Sequence, residues 1–357
     1  MEPVTTRSEQ RRADALSERE ALVLRYIVQH YILTANPVGS RYLSKRLEEE
    51  SISAATIRNV MADLEEKGYI THPHTSAGRV PTDIGYRLYV NGFAKTEPLT
   101  QAERASIRRQ VDVTAPATVM MRDISRILGE ITHQLGIVTA PEILGSRLER
   151  IELVQLSSTR LLVVLSLDSG LVRTITLEIH QESSRERLLP VVEALNQRLT
   201  GLTLLEIRAS CHDRLRDVAI DDPTRIVQAV LESNERIFAQ RADVERVAIS
   251  PAQNILRHPE FSSPEQLRGV VELIENQEMI IHLLEEHPGQ ENQVEVTIGS
   301  EHSDERLKEY SLITTRYQNG YSSGTIGLIG PRRMNYSRMI TVVEYVARII
   351  SGPGHDR

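Results

Sequence analysis

Residues 52–82, ISAATIRNVMADLEEKGYITHPHTSAGRVPT, carry the reading from which the rest of the fold follows. Ser53 stands where a side chain can cap a helix, and Gly68 follows Lys67 where a left-handed C-terminal cap would sit. Between them Ile57, Val60, Met61 and Leu64 recur at i, i+3, i+4 and i+7, which puts all four on one buried edge. Ala55, Thr56, Arg58 and Asn59 are left near the helix N-terminus with no core to enter. Small, hydroxyl, guanidinium and amide groups at that place are what a helix needs to enter a major groove and read base edges. A strand and a basic loop follow, in which Arg79 beside Gly78 can reach phosphates or a minor groove. The order predicts a winged helix-turn-helix, and with it a DNA-binding regulator.

The flanking residues extend this module. Ser17-Glu18-Arg19-Glu20 has the form of a capping box and predicts a helix to about Leu33, with Ala21, Leu24, Val28, Tyr31 and Ile32 inward. Asn36-Pro37-Val38-Gly39 breaks it, and Ser40 is placed to cap a second helix over 41–48. On that helix Arg41, Ser44 and Lys45 are assigned to phosphates, which fix register without reading sequence. Arg46 can as easily pair with the acidic turn Glu48-Glu49-Glu50. His72 and His74 form an HxH pair with no third ligand near, which favours support of the wing base, or a phosphate contact, over a metal. His74, Thr75, Ser76 and Arg79 make up the expected wing and phosphate contacts. Tyr86, Arg87 and Tyr89, on a helix opened by Thr82-Asp83, divide between core packing and a contact between two DNA modules.

Composition sets limits on the whole. A chain of 357 residues predicts two or three domains, and 40% hydrophobic residues suffice for their cores. With 4% aromatic residues and no Trp, those cores must rest on Leu, Ile and Val. The single cysteine, Cys211, excludes an internal disulfide framework and a Cys-based zinc cluster, and reads as a small buried apolar residue. The first twenty residues are charged, which predicts no signal peptide, and no run approaches the roughly 18 apolar residues that span a bilayer. A soluble, cytoplasmic protein is expected. The net charge of −7 is unevenly spread: residues 1–95 hold 13 Lys and Arg against 12 Asp and Glu, leaving −8 on the remainder. A module at +1 is weakly basic for a DNA reader, whose affinity rests largely on neutralised phosphates, so a dimer that doubles the contacts is favoured.

Beyond Lys95-Thr96-Glu97-Pro98, a domain boundary, two helices are expected over about 100–111 and 117–135. From Arg150, RIELVQLS, RLLVVLSLDSG and LVRTITLEIH predict a three-stranded antiparallel meander. A helical block follows, marked by Leu188, Leu189, Val192 and Leu195 and again after Pro223, then a strand in VERVAIS at 244–250. Next come one helix over 265–286, strands at 294–298, 307–317 and 324–330, and a helix over about 336–350. Two three-strand groups split by a helical block of about eighty residues suggest one α+β domain interrupted by an insert. GYSSGTIGLIGP, with Gly320, Gly324, Gly327 and Gly330, only loosely resembles a phosphate loop, since no Lys-Ser or Lys-Thr pair follows; a strand pair with glycine turns fits better. No nucleophile elbow, zincin motif or carboxylate pair with a histidine has usable spacing. No enzyme, cofactor or metal is expected.

ATIRNVMADLEEKGYI followed by PHTSAGRVPTDIGYRLYVN resembles the signature of HrcA, the heat-inducible transcription repressor family of bacteria. LSERE, NPVGSRYL, HPEF at 258–261 and IGPRRMNYSRMI near the end support the resemblance, which covers about residues 16–351. It implies an α+β multidomain chain with a winged helix-turn-helix at 16–96, a discontinuous GAF-like α+β domain at 97–181 and 262–351, and an inserted α/β dimerising domain at 182–261. A disordered extension at 1–15 and a tail at 352–357 complete the expected division. It further implies a homodimer on double-stranded DNA carrying an inverted repeat, the CIRCE operator, upstream of chaperone operons, with repression supported by the GroE chaperonin. Val60 stands where many relatives are expected to be polar, and here it belongs to the apolar edge. A GAF-like domain could hold a small ligand that controls DNA binding, and the winged helix could instead serve protein contacts; both alternatives stay open.

Overall fold

The capping box at Ser17 forms as the sequence predicts. The Ser17 hydroxyl accepts the Glu20 N–H at 3.3 Å while the Glu20 carboxylate accepts the Ser17 N–H at 2.8 Å, opening helix α1, Glu18–Thr34. The computed structural model describes residues 16–47, 52–73, 78–94, 97–113, 115–140, 145–168, 172–179, 185–238, 246–287, 289, 293–319 and 322–352. The expected extension at 1–15, the Glu48-Glu49-Glu50 turn and Gly320 lie outside the described residues.

After α1 comes α2, Ser40–Arg46, whose N-cap is Gly39; Ser40, the expected cap, is already helical. The Val38 backbone is held to Arg79 by two bonds of 2.8 Å, which fixes the chain just ahead of α2 and moves its start by one residue. Ser53 does cap α3, Ala54–Glu66, and Gly68 ends it at φ +79°, a conformation that side chains with a Cβ resist. A two-stranded antiparallel hairpin, β1 (Ile70–Thr71) with β2 (Val80–Pro81), leads to α4, Asp83–Phe93, capped by Thr82.

Helices α5 (Gln101–Gln110) and α6 (Ala117–Thr132) follow. The sequence carries α6 on to Leu135, but His133 adopts φ +57° and closes it, and the chain enters strand β3, Leu135–Thr139. With no glycine at that cap, sequence gives no stop signal. The meander forms as β4 (Leu148–Ser157), β5 (Arg160–Leu167) and β6 (Val172–Glu178). Helices α7 (Arg185–Leu199), α8 (Leu204–Asp221), α9 (Ile226–Glu232) and α10 (Asn234–Phe238) come next. Of these α8 was not anticipated, although Thr203 and Glu206 give it a full capping box. Strand β7 is Val247–Ile249. The single helix expected over 265–286 is two, α11 (Pro264–Glu275) and α12 (Gln277–Glu286), because Asn276 leaves helical geometry and caps the second through the Met279 N–H. Strands β8 (Glu295–Ile298), β9 (Tyr310–Asn319) and β10 (Ser322–Pro331) and helix α13 (Tyr336–Ser351) complete the order.

The strands divide the chain differently from the limits expected at 97–181, 182–261 and 262–351. One antiparallel sheet has the order β7-β3-β10-β9-β8, so strands on both sides of the helical block build it. Its alternating residues face two layers: Val138, Ile313 and Leu328 join α6 and α13, whereas Ile137, Leu312 and Ile329 join α11 and α12. Among the described residues, β4–β6 pair only with one another, and Leu161, Val163 and Leu165 bury against Leu195, Ile207 and Leu215 of α7 and α8. The meander therefore goes with the helical block over 148–238. Strand alternation identifies a buried face but not the layer that covers it. The described part of the glycine-rich stretch, residues 322–331, is strand β10 paired with β9, where a Cβ on Gly324 would come within 2.7 Å of the Tyr317 ring.

The N-terminal module is seated on the five-stranded sheet. One apolar cluster runs from Leu24 and Leu64 through Tyr86 to Tyr336 and Val343. A polar seam borders it. Asp83 accepts the Ser300 N–H at 2.9 Å and pairs with Arg332 at 3.0 Å, and Arg87 binds Glu301 and the Val296 carbonyl. Arg333 pairs with Glu260 and donates to the Ile32 carbonyl at the end of α1. Tyr86 and Tyr89 are thereby core residues of one chain. Asp83→Ala should lower unfolding stability by about 0.5–1.5 kcal/mol, since it removes the hydrogen bond from the exposed Ser300 N–H and the ion pair with half-exposed Arg332; an unchanged urea midpoint would remove Asp83 from the seam.

Candidate nucleic-acid interface

Helix α3 presents two opposed surfaces. Ile57, Val60, Met61 and Leu64 are buried, packed with α1 and α2. Ala55, Arg58, Asn59 and Ala62 are exposed and again follow i, i+3, i+4 and i+7, giving a solvent stripe two turns long. Ala62 belongs to this stripe although the sequence did not single it out, because an alanine is equally at home on either face. Thr56 is half-buried, and its hydroxyl lies 2.9 Å from the Ser53 hydroxyl while its N–H donates to the same oxygen at 3.1 Å. It therefore supports the cap as well as bordering the stripe.

Helix α2 lies beside α3, with Leu43 and Leu47 sharing its core. Arg41, Lys45 and Arg46 are exposed and Ser44 is half-buried. Among the described residues Arg41, Lys45, Arg46 and Arg58 form no ion pair, so four cations stand free along two neighbouring helices. The first turns of both helices carry no acidic residue. The α3 carboxylates, Asp63, Glu65 and Glu66, all sit in its C-terminal half. An anion approaching the N-terminal half of α3 meets free cations and the positive end of the helix dipole.

The hairpin is anchored differently from the sequence-based expectation. Arg79 is at its base, and its guanidinium donates to Glu65 of α3 through Nε at 2.8 Å and through a second nitrogen at 2.7 Å. Its backbone bridges Val38, and a Cβ on the neighbouring Gly78 would lie 2.6 Å from the Val38 carbonyl carbon. Arg79 is thus a clamp with its charge already matched, where a free basic tip was expected. His72 binds the other Glu65 oxygen through Nδ1, in keeping with support of the hairpin base. His74, Thr75 and Ser76 lie outside the described residues. Among the described residues no three His, Cys, Asp or Glu side chains stand together as a metal site.

Glu65 is the residue that sequence reading missed. It faces His72 and Arg79, seven and fourteen positions away, a relation visible only once the hairpin folds back. Burial alone would raise its carboxyl, but the hydrogen bonds and charges of His72 and Arg79 outweigh that and hold it below the usual glutamate value. Lys67 plays a parallel part at the end of α3, reaching Glu20 of α1 at 2.6 Å. Cys211 is buried in the second core, where desolvation pushes its thiol up to about 11 and leaves it a packing residue.

A family model described as the HrcA protein C terminal domain matches residues 118–340. The heat-inducible transcription repressor HrcA of Chlorobium phaeobacteroides (strain BS1) is 39% identical over 346 residues, covering 94% of this chain and 97% of the relative. That of Chlorobaculum tepidum is 35% identical over 347 residues, with the same coverage of 94% and 97%. A crystal structure of a hypothetical protein, solved at 2.2 Å, superposes with a TM-score of 0.54 at 25% identity over 94% of this chain and 98% of that one.

The Glu65 cluster makes a pH-dependent prediction. A carboxyl whose pKa is depressed on folding stabilises the fold above its unfolded value, about 4.3, and loses that contribution as pH falls through the lower folded value. The stability difference between wild type and Glu65→Gln should be about 0.5–1 kcal/mol at neutral pH and should shrink below about pH 4.5. A pH-independent difference in chemical denaturation would break the assignment of charge pairing to Glu65.

Proposed function

This chain belongs to the HrcA family of heat-inducible transcription repressors, and on that premise we propose that it is a homodimeric negative regulator of chaperone operons. It binds the CIRCE inverted repeat and blocks transcription by occupying it. In this reading α1, α2, α3 and the hairpin act as a winged helix-turn-helix with α3 in the major groove. Ala55, Thr56, Arg58 and Asn59 face base edges, Ala62 extends that surface, and Arg41, Ser44 and Lys45 hold phosphates. His74, Thr75 and Ser76 belong to the wing, and Arg79 positions it through Glu65. The observation that carries the proposal is the exposed Ala55-Arg58-Asn59-Ala62 stripe flanked by Arg41, Lys45 and Arg46, which form no ion pair among the described residues.

The domain reading follows the sheets. Residues 16–96 form the DNA module, the five-stranded sheet with its helices is the GAF-like domain, and the unit over about 145–238 is the dimerising insert. Val154 and Leu156 are exposed on the outer side of its sheet, next to half-buried Leu162, an apolar surface suited to a second copy. Dimerisation also answers the weak basicity of one module, since two would double the phosphate contacts. The GroE chaperonin supports the DNA-binding form, so that chaperonin engaged by unfolded clients leaves the operon derepressed. No helix among the described residues is long and apolar enough to cross a membrane, and action on DNA places the protein in the cytoplasm.

Arg58→Ala and Asn59→Ala should each weaken operator binding by about 1–3 kcal/mol with little change in thermal stability, because neither side chain supports the core. Equal affinity in a gel shift at fixed salt would sink the recognition role of α3. Arg41→Ala and Lys45→Ala should weaken binding to all sequences alike and reduce the salt slope by about one each. An unchanged slope would take α2 off the phosphate backbone.

A further inference from the structure

At the corner where α11 passes into α12 lies a cavity of about 710 Å³, with buried Leu273, Leu307 and Tyr310 in its wall. Glu272, Glu275 and Glu278 also line it, and among the described residues none of these three carboxylates forms a hydrogen bond or an ion pair. Glu272 and Glu275 occupy the last turn of α11, which holds no basic residue. The negative end of the helix dipole disfavours carboxylates there, and at a spacing of three residues they also repel each other. Arg306 is the only cation in the lining, and both oxygens of Asp304 already engage its guanidinium. The corner thus carries unmatched negative charge at a helix end where a positive charge belongs.

A second feature of the same cavity points to a ligand. Tyr310 is 5% exposed, and among the described residues no hydrogen bond reaches its hydroxyl. Its ring is fixed by stacking on Phe261 with centroids 5.6 Å apart, and a Cβ on Gly269, another residue of the lining, would lie 3.3 Å from its oxygen. The unpartnered hydroxyls of Tyr86 and Tyr345 are sealed inside the protein, whereas that of Tyr310 is not. Burial pushes this phenol up to about 12, with the charges of Glu309 and Glu272 adding to it, so the oxygen stands near Glu272 and keeps its proton. A hydroxyl held in place beside free carboxylates has lone pairs to offer an N–H donor.

Among the described residues these carboxylates do not converge as a metal site, so the charge they match is extended and not a single ion. Glu272 and Glu275, three apart on one helix, have Cβ atoms about 5–6 Å from each other. Ammonium groups separated by three or four methylenes suit that spacing, and Leu273 and Leu307 offer apolar surface to the methylenes. We propose that this corner binds a linear aliphatic polyamine, its ammonium groups donating to Glu272, Glu275 and Glu278 and one of them also to the Tyr310 hydroxyl. The bound polyamine neutralises the C-terminal end of α11 and links it to α12 and β9. The site stands independently of which bases the DNA module reads.

The test is calorimetric titration and thermal shift on the full chain without DNA, with spermidine as the probe. Butylamine and magnesium chloride, at matched ionic strength, serve as controls. Spermidine should bind at low millimolar concentration and raise the melting temperature, and neither control should. Tyr310→Phe removes only a hydroxyl without a partner, so it should fold as stably and bind several-fold more weakly. Glu275→Gln relieves the repulsion and the dipole penalty, so it should raise the melting temperature of the free protein and bind about tenfold more weakly. No binding of spermidine, an equal response to butylamine or magnesium, an unaltered affinity in either variant or a lower melting temperature of free Glu275→Gln would each overturn the proposal.

Discussion

Burial of Ile57, Val60, Met61 and Leu64 fixes the rotation of α3 about its own axis. A helix of 3.6 residues per turn that hides positions 57, 60, 61 and 64 has to show 55, 58, 59 and 62, whatever those residues are. The exposed stripe of α3 is therefore set by apolar contacts on the far side of the helix, which α1 and α2 provide. The ends of α3 are held by separate means: the Ser53 cap at one, Gly68 and the Lys67–Glu20 pair at the other. Glu65 then ties the hairpin to the same helix, so the exposed stripe and the hairpin base are linked through one side chain.

The seam beneath this module explains why two distant stretches of sequence share in the family resemblance. HPEF at 258–261 supplies Glu260, and IGPRRMNYSRMI supplies Arg332, Arg333 and Tyr336. These residues converge on Ile32, Asp83 and Tyr86 of the N-terminal module. Ion pairs of partly exposed groups contribute little apiece, and the continuous apolar cluster supplies most of the adhesion. The polar contacts instead select one orientation, since each donor and acceptor can be matched only when the module sits at that angle.

Much of the N-terminal module was legible in the sequence because its signals are local. The Ser17 box, the Ser53 cap, Gly68 and the apolar spacing on α3 each act within a turn or two of chain. What escaped were relations across sequence distance. Arg79 looked like a free cation because Glu65, fourteen residues back, becomes its partner only after the hairpin closes. The meander was grouped into one domain with the C-terminal strands because alternation marks an inward face without naming the layer that covers it. The helix was carried on to Leu135, and strand β3 beyond it was not read, because His133, in place of a glycine, provides the left-handed stop. The cavity at the α11–α12 corner had no sequence signature, since Leu307 and Tyr310 reach its wall from beyond β8.

The central claim is that α3 reads an inverted repeat from the major groove, and dimethyl sulfate protection measures that directly. This reagent attacks guanine at N7, in the major groove, and adenine at N3, in the minor groove. Full-length protein on inverted-repeat operator DNA should shield guanine N7 in two symmetric patches whose centres lie one helical turn, or a multiple of it, apart. Guanines left fully reactive in both half-sites, or protection confined to adenine N3, would contradict the account.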